Sequence, residues 1–233
     1  MTVAASSVSP HASSPAPAWS IVVLIVIGLI VDQHVAVWGQ HIVNIATWAM
    51  LLYWLTHSAP ETRMSMVICV LYATAGEIFL SLGWGLYEYR LNNIPLFVPP
   101  AHALIFTLGV AISARMPDSI VWAVPLAAAP PVIALAWVGA DTMGLVLYAL
   151  LVLCMVFSEG RKLYAVMFML SLGLEIYGTA LGNWAWLYQV PVLGWTTMNP
   201  PLAAGTFYCM LDMLVVITMA ALRRRHRTLL QPG

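Results

Sequence analysis

Three carboxylates sit where an apolar chain should carry none. Glu77, Glu175 and Asp212 each fall inside a long hydrophobic run, and an ionisable group in a membrane helix is costly enough to mark a function by default. Glu77 opens the stretch GEIFLSLGWGLYEYRLNNIPLFVPPAH, residues 76–102, which is echoed by EIYGTALGNWAWLYQVPVLGWTTMNPP, residues 175–201. The two Glu-Ile pairs lie 98 residues apart and the two Pro-Pro pairs 101 apart, so the acids read as two halves of one site. Burial away from water favours the neutral form of an unpaired carboxyl, and a neutral acid donates a proton. Aromatic residues crowd both stretches: Trp84, Tyr87 and Tyr89 in the first, Trp184, Trp186, Tyr188 and Trp195 in the second. Their ring faces stabilise cations. A proton donor beside such faces suits protonation of a carbon–carbon double bond, with capture of the cation by water (hydration) or by an internal double bond (cyclisation). Glu77, Glu175 and Asp212 are the expected catalytic residues. Trp84, Tyr87, Tyr89, His102, Trp184, Trp186 and Tyr208 are expected to line the substrate pocket.

Plainer readings stand beside these. A buried carboxyl bonded across helices fixes packing, and Trp and Tyr form interfacial belts in any membrane protein. Glu88 and Arg90 flank Tyr89 and are placed to pair on a loop; Asn92, Asn93 and Asn199 precede prolines in turn-like contexts. Asp32, His34, His41 and His102 gather toward one side and have ligand chemistry, but lack a metal-binding spacing, and no metal is expected. No phosphate-cradling glycine loop, nucleophile elbow or CxxC is present, so no cofactor is expected either. Cys69, Cys154 and Cys209 lie in apolar runs and read as buried free thiols.

The elements that position these residues follow from composition. With 62% hydrophobic residues, 8% charged and no net charge, and a mean hydropathy of +0.90, the chain reads as an all-α integral membrane protein. Its expected partners are the lipid bilayer and an apolar small molecule. Nucleic acid has no basic surface to bind, and oligomeric state is left open. A crossing helix needs about 20 apolar residues. That rule gives eight spans: 19–37, 41–56, 64–86, 96–114, 119–138, 142–157, 163–182 and 201–222, with seven as the competing count. Eight spans place Arg63, Arg115, Arg161, Lys162, Arg223, Arg224, Arg225 and Arg227 on one side and Arg90 alone on the other. The positive-inside rule then predicts an inner-membrane protein with both termini cytoplasmic. Residues 1–17 read as a disordered tail, 18–222 as one helical domain and 223–233 as a basic cytoplasmic tail. The domain divides into two parallel four-helix halves, 18–114 and 119–222, in the manner of repeat-built transporters. Helical spacing aligns Thr74, Glu77, Ser81 and Trp84 on one face, Ser171, Glu175 and Gly178 on another, and Gly205, Tyr208 and Asp212 on a third. At the helical rise the acids come to roughly 17–20 Å along their spans, depths at which they meet.

The order Glu77, then Gly83-Trp84-Gly85 with Tyr87 and Tyr89, then Ile94-Pro95-Leu96-Phe97-Val98-Pro99, resembles a stretch of the bacterioruberin-type carotenoid hydratase family. The likeness covers about 25 residues, with Asn93 where a glycine is usual, and the second stretch lies outside it. The resemblance implies Glu77 as the acid, with Tyr87 and Tyr89 lining the pocket. The expected function is therefore acid-catalysed hydration or cyclisation of an apolar isoprenoid or carotenoid-like lipid, as a lyase, cyclase or isomerase. The alternatives are a non-enzymatic transporter or lipid-binding protein using the same carboxylates, and a structural subunit of a membrane complex.

Overall fold

The computed structural model describes residues 18–230, with side chains through Arg225. The tail 1–17 and the end of the basic tail lie outside the described residues. The chain forms α1 (Trp19–His34), α2 (Gly39–His57), α3 (Pro60–Glu77), β1 (Tyr87–Tyr89), α4 (Val98–Ser113), α5 (Ala123–Trp137), α6 (Thr142–Phe157), α7 (Arg161–Leu181), β2 (Trp184–Trp186) and α8 (Gly205–Leu230). A π-helical segment, Ile78–Gly83, extends α3, and a 3-10 turn, Asp118–Ile120, precedes α5. The basic residues 223–230, read as a tail after the last span, instead continue α8.

The all-α class holds, with one departure: two three-residue strands inside segments read as loops. Glycine sets both. Gly85 at φ +75° and Gly182 at φ +83° take the left-handed conformation that ends a helix without a Cβ clash. The Tyr-Glu-Tyr and Trp-Ala-Trp triplets that follow are rich in ring side chains that suit a pleated ribbon. β1 and β2 pair antiparallel, with Tyr87 opposite Trp186, Glu88 opposite Ala185 and Tyr89 opposite Trp184. Alternation buries the four rings on one face and exposes Glu88 and Ala185 on the other.

Among the described residues four segments are long and apolar enough to cross a membrane: Pro60–Gly83, Asp118–Trp137, Arg161–Leu181 and Gly205–Arg225. This corrects the count of eight full-length spans. Helices α1, α4 and α6 are apolar but have 16 residues each, roughly 24 Å at ~1.5 Å per residue, short of a ~30 Å core. α2 has the length, but Gln40, His41 and Asn44 make its first turns polar.

Element order helix, helix, helix, strand, helix occurs twice. α3 packs on α4 and α7 on α8, and the two pairs meet through α3–α8 and α4–α7 contacts. The hairpins α1–α2 and α5–α6 lie outside this central group. The ribbon register is the one a two-fold axis through Glu88 and Ala185 produces: Tyr87 and Tyr89 precede Trp184 and Trp186 by 97 residues each, and each pairs with the other's counterpart. Basic side chains tie the opposite end. Arg223 bonds Glu61 at 2.7 Å, Lys162 approaches Asp118 at 3.1 Å, and Arg63 donates to the Leu55 and Ser58 carbonyls that end α2.

Close helix approach at α7–α8 depends on a missing side chain. A Cβ on Gly205 would sit 2.6 Å from the Phe168 carbonyl oxygen and 3.1 Å from its Cα. Backbone cannot swing aside, so Gly205→Ala must part the helices. We expect a loss of about 1–3 kcal/mol, read as a lower unfolding temperature in detergent.

Candidate functional site

Both glutamates are buried under the ribbon, each capped by donors from its own half. Glu77, the last α-helical residue of α3, accepts from Tyr87 Oη at 2.9 Å and Tyr89 Oη at 2.7 Å, both on Oε2. Its Oε1 lies 3.3 Å from His102 Nε2 on α4. Glu175 on α7 accepts at Oε2 from Trp184 Nε1 at 2.8 Å and Trp186 Nε1 at 3.0 Å, and at Oε1 from Tyr208 Oη on α8 at 3.4 Å. Each acid thus has two ring donors from its own strand and one from the next helix. The donor sets touch across the quasi-two-fold axis: His102 stacks on Tyr208 at 4.6 Å, and Tyr87 packs on Trp186 at 4.8 Å. Burial pushes the phenols of Tyr87 and Tyr89 well above the usual tyrosine range. They therefore remain protonated donors at neutral pH.

The chemistry of the two sets differs. Indole N–H groups only donate, whereas phenols and imidazole both donate and accept. Glu77 is bonded by groups able to pass a proton on, and Glu175 by two that hold its oxygen in place. His102 Nδ1 is buried with no partner among the described residues.

Below the acids lies a cavity of about 460 Å³ lined by every helix but α5, within the ~300–1,000 Å³ range of small-molecule pockets. Its walls are overwhelmingly apolar; its polar side chains are the two carboxyls with their donors, the hydroxyls of Thr47 and Tyr72, and the indoles of Trp84 and Trp195. Trp84, Tyr87, Tyr89, His102, Trp184, Trp186 and Tyr208 are all brought together on its wall. Trp195 joins them. Trp84 is fixed by its Nε1 donating to the Pro191 carbonyl at 3.0 Å.

Asp212 is placed elsewhere. It is buried and one side-chain oxygen has no partner among the described residues, but it is not part of the cavity wall. It lies among Cys69 of α3, Tyr164 of α7 and Cys209 and Tyr208 of α8, so it shares the surroundings of Tyr208, as helical spacing aligned them, without lining the cavity. Thr74 is exposed and bonds its own helix, while Ser81 donates to the Tyr87 carbonyl at 3.2 Å. The three cysteines are buried and free.

The ribbon is anchored by residues first read as turn or loop formers. Arg90 pairs not with Glu88, which is exposed, but with Asp32, bonding its carbonyl and its side chain. Asn183 Nδ2 reaches the same carboxylate at 2.8 Å, and the Arg90 amide donates to the Asn183 carbonyl. Asn199 Oδ1 receives the Trp186 amide at 2.8 Å. Asn93 exchanges amide bonds with Gln40, and in the other half Asp141 caps α6 and receives the Leu202 amide. No sequence spacing links Asp32 to Arg90 or Asn199 to Trp186; only the ribbon brings them together. The four residues weighed as metal ligands diverge: Asp32 is held by Arg90, His102 by Glu77, and His34 and His41 are exposed. Among the described residues no three His, Cys, Asp or Glu side chains converge on one point.

No family model, curated protein or solved structure matches the chain.

Proposed function

We propose that the protein is a membrane enzyme that protonates a carbon–carbon double bond of an apolar isoprenoid or carotenoid-like lipid. One observation carries the reading: two carboxyls, ringed by aromatic donors, line a cavity whose other walls are mostly hydrocarbon. Glu77 gives its proton to one alkene carbon and leaves a cation on the other. The π-faces of the ring cluster stabilise that cation, as does the charge of Glu175. Water then adds and releases a proton to a carboxylate, for a net gain of one water. Alternatively an internal double bond attacks and a neighbouring carbon loses a proton to Glu175, for no net change in mass. Asp212, outside the cavity wall, supports the fold of α3 and α8 in this scheme.

The same reading places the helical bundle in an inner membrane, with both termini cytoplasmic. The clustering of Arg63, Lys162 and Arg223 at the end opposite the ribbon supports it. A second reading, a carrier in which the carboxyls bind protons during alternating access, draws on their position between two similar halves. Mass spectrometry of lipid and pigment extracts from cells with and without the protein separates the two, in a host making acyclic polyenes. Catalysis predicts a new species heavier by one water, or one of equal mass with new retention. A carrier leaves the extracts chemically identical.

A further inference from the structure

The quasi-two-fold relation fails at one place, and that place opens the cavity. α1 lies across the seam between α4 and α7, latched by Tyr177 Oη donating to the Val26 carbonyl at 3.1 Å. The counterpart of α1 is α5, which by symmetry belongs on the seam between α8 and α3. It packs instead on α6 and α7 and contributes nothing to the cavity wall. Pro130 and Pro131 within α5, and the Arg161 and Lys162 contacts to Trp122 and Asp118 at its start, fit this displaced course. Among the described residues the α3–α8 seam therefore has no covering helix.

We infer that this seam is a lateral portal through which a single linear apolar chain passes from the bilayer to the carboxyls, an inference that rests on the proposed lipid chemistry of the site. One wall is Tyr72, Gly76, Phe79 and Leu80; the other is Leu211 and Leu214. All six line the cavity, yet Phe79 is 59% and Leu214 44% exposed, so the wall is continuous with the lipid-facing surface. Gly76 leaves the gap: a Cβ there meets nothing within 4 Å. Gly173, two residues before Glu175 on α7, opens only into a separate recess of about 160 Å³ behind α1. A hydrogen bond of 2.8 Å between Tyr72 and Thr218 closes the seam toward the basic end. Above it the π-helical segment widens the backbone, as such segments do at functional sites. With no polar side chain besides the Tyr72 hydroxyl along it, the passage admits hydrocarbon.

The test is the apolar lipid that co-purifies with the full chain, extracted and identified by mass spectrometry. Samples are matched for yield and unfolding temperature. Gly76→Trp fills the gap from one wall and Leu214→Trp from the other; both are expected to lose the bound isoprenoid or polyene and any product made from it. Gly173→Trp is expected to retain both. Wild-type loading in both blocked variants overturns the portal, as does a wild-type protein that carries no such lipid. If loading depends on Gly76 and Leu214 but no product forms, the portal stands and the catalytic reading falls.

Discussion

Glu77→Gln is expected to abolish product formation while leaving the protein folded. The amide keeps the shape of the side chain, and its carbonyl oxygen still accepts from Tyr87 and Tyr89. What it loses is the transferable proton. Positioned general acids contribute about 10²–10⁴-fold to rate, and in the proposed scheme Glu175 serves as the base, so the loss should reach that range. The measurement is product formed per unit of protein in isolated membranes, alongside the unfolding temperature. A variant with wild-type turnover removes Glu77 from the chemistry. One that loses turnover and stability together assigns it to packing.

Gly178→Ala should damage the site through a single methyl group. A Cβ at Gly178 would fall 2.0 Å from Cη2 of Trp184, the indole that donates to Glu175. That ring cannot swing clear without breaking its bond to Glu175 or the pairing of β2 with β1. Overpacking costs about 1–3 kcal/mol, and a buried acceptor losing its donor adds about 1–3 kcal/mol. The expected result is a lower unfolding temperature with a fall in turnover larger than Gly205→Ala produces for the same destabilisation. Equal losses would make the Trp184–Glu175 bond incidental to the site.

The carboxyls were legible because charge in an apolar run is conspicuous, and matched spacing paired Glu77 with Glu175. The aromatic lining was legible for the same reason, being dense beside each acid. The ribbon was not. Three residues are too few to establish an alternating pattern, and Tyr-Glu-Tyr and Trp-Ala-Trp read equally well as interfacial belt. Missing the ribbon meant missing what it joins: Asp32 to Arg90 and Asn183, and Asn199 to Trp186. Asp212 lies off the cavity wall although Tyr208, one turn before it, lines the cavity, because helical phase groups residues on a face but does not fix where the edge of a cavity falls. The span count misled because polar α2 and the 16-residue α1, α4 and α6 are each bounded by turn residues that hydropathy blurs. Gly76 carried no signal at all, since an unfilled gap is a property of the packed helices.

The most direct test of proton-initiated chemistry is deuterium incorporation by purified protein in lipid nanodiscs, given an acyclic polyene in deuterated water. Hydration and cyclisation both begin by placing a solvent-derived proton on carbon, so either product should carry non-exchangeable deuterium. The label should vanish in Glu77→Gln. A polyene recovered from the wild-type protein with no carbon-bound deuterium, and with unchanged mass and retention, would contradict the account.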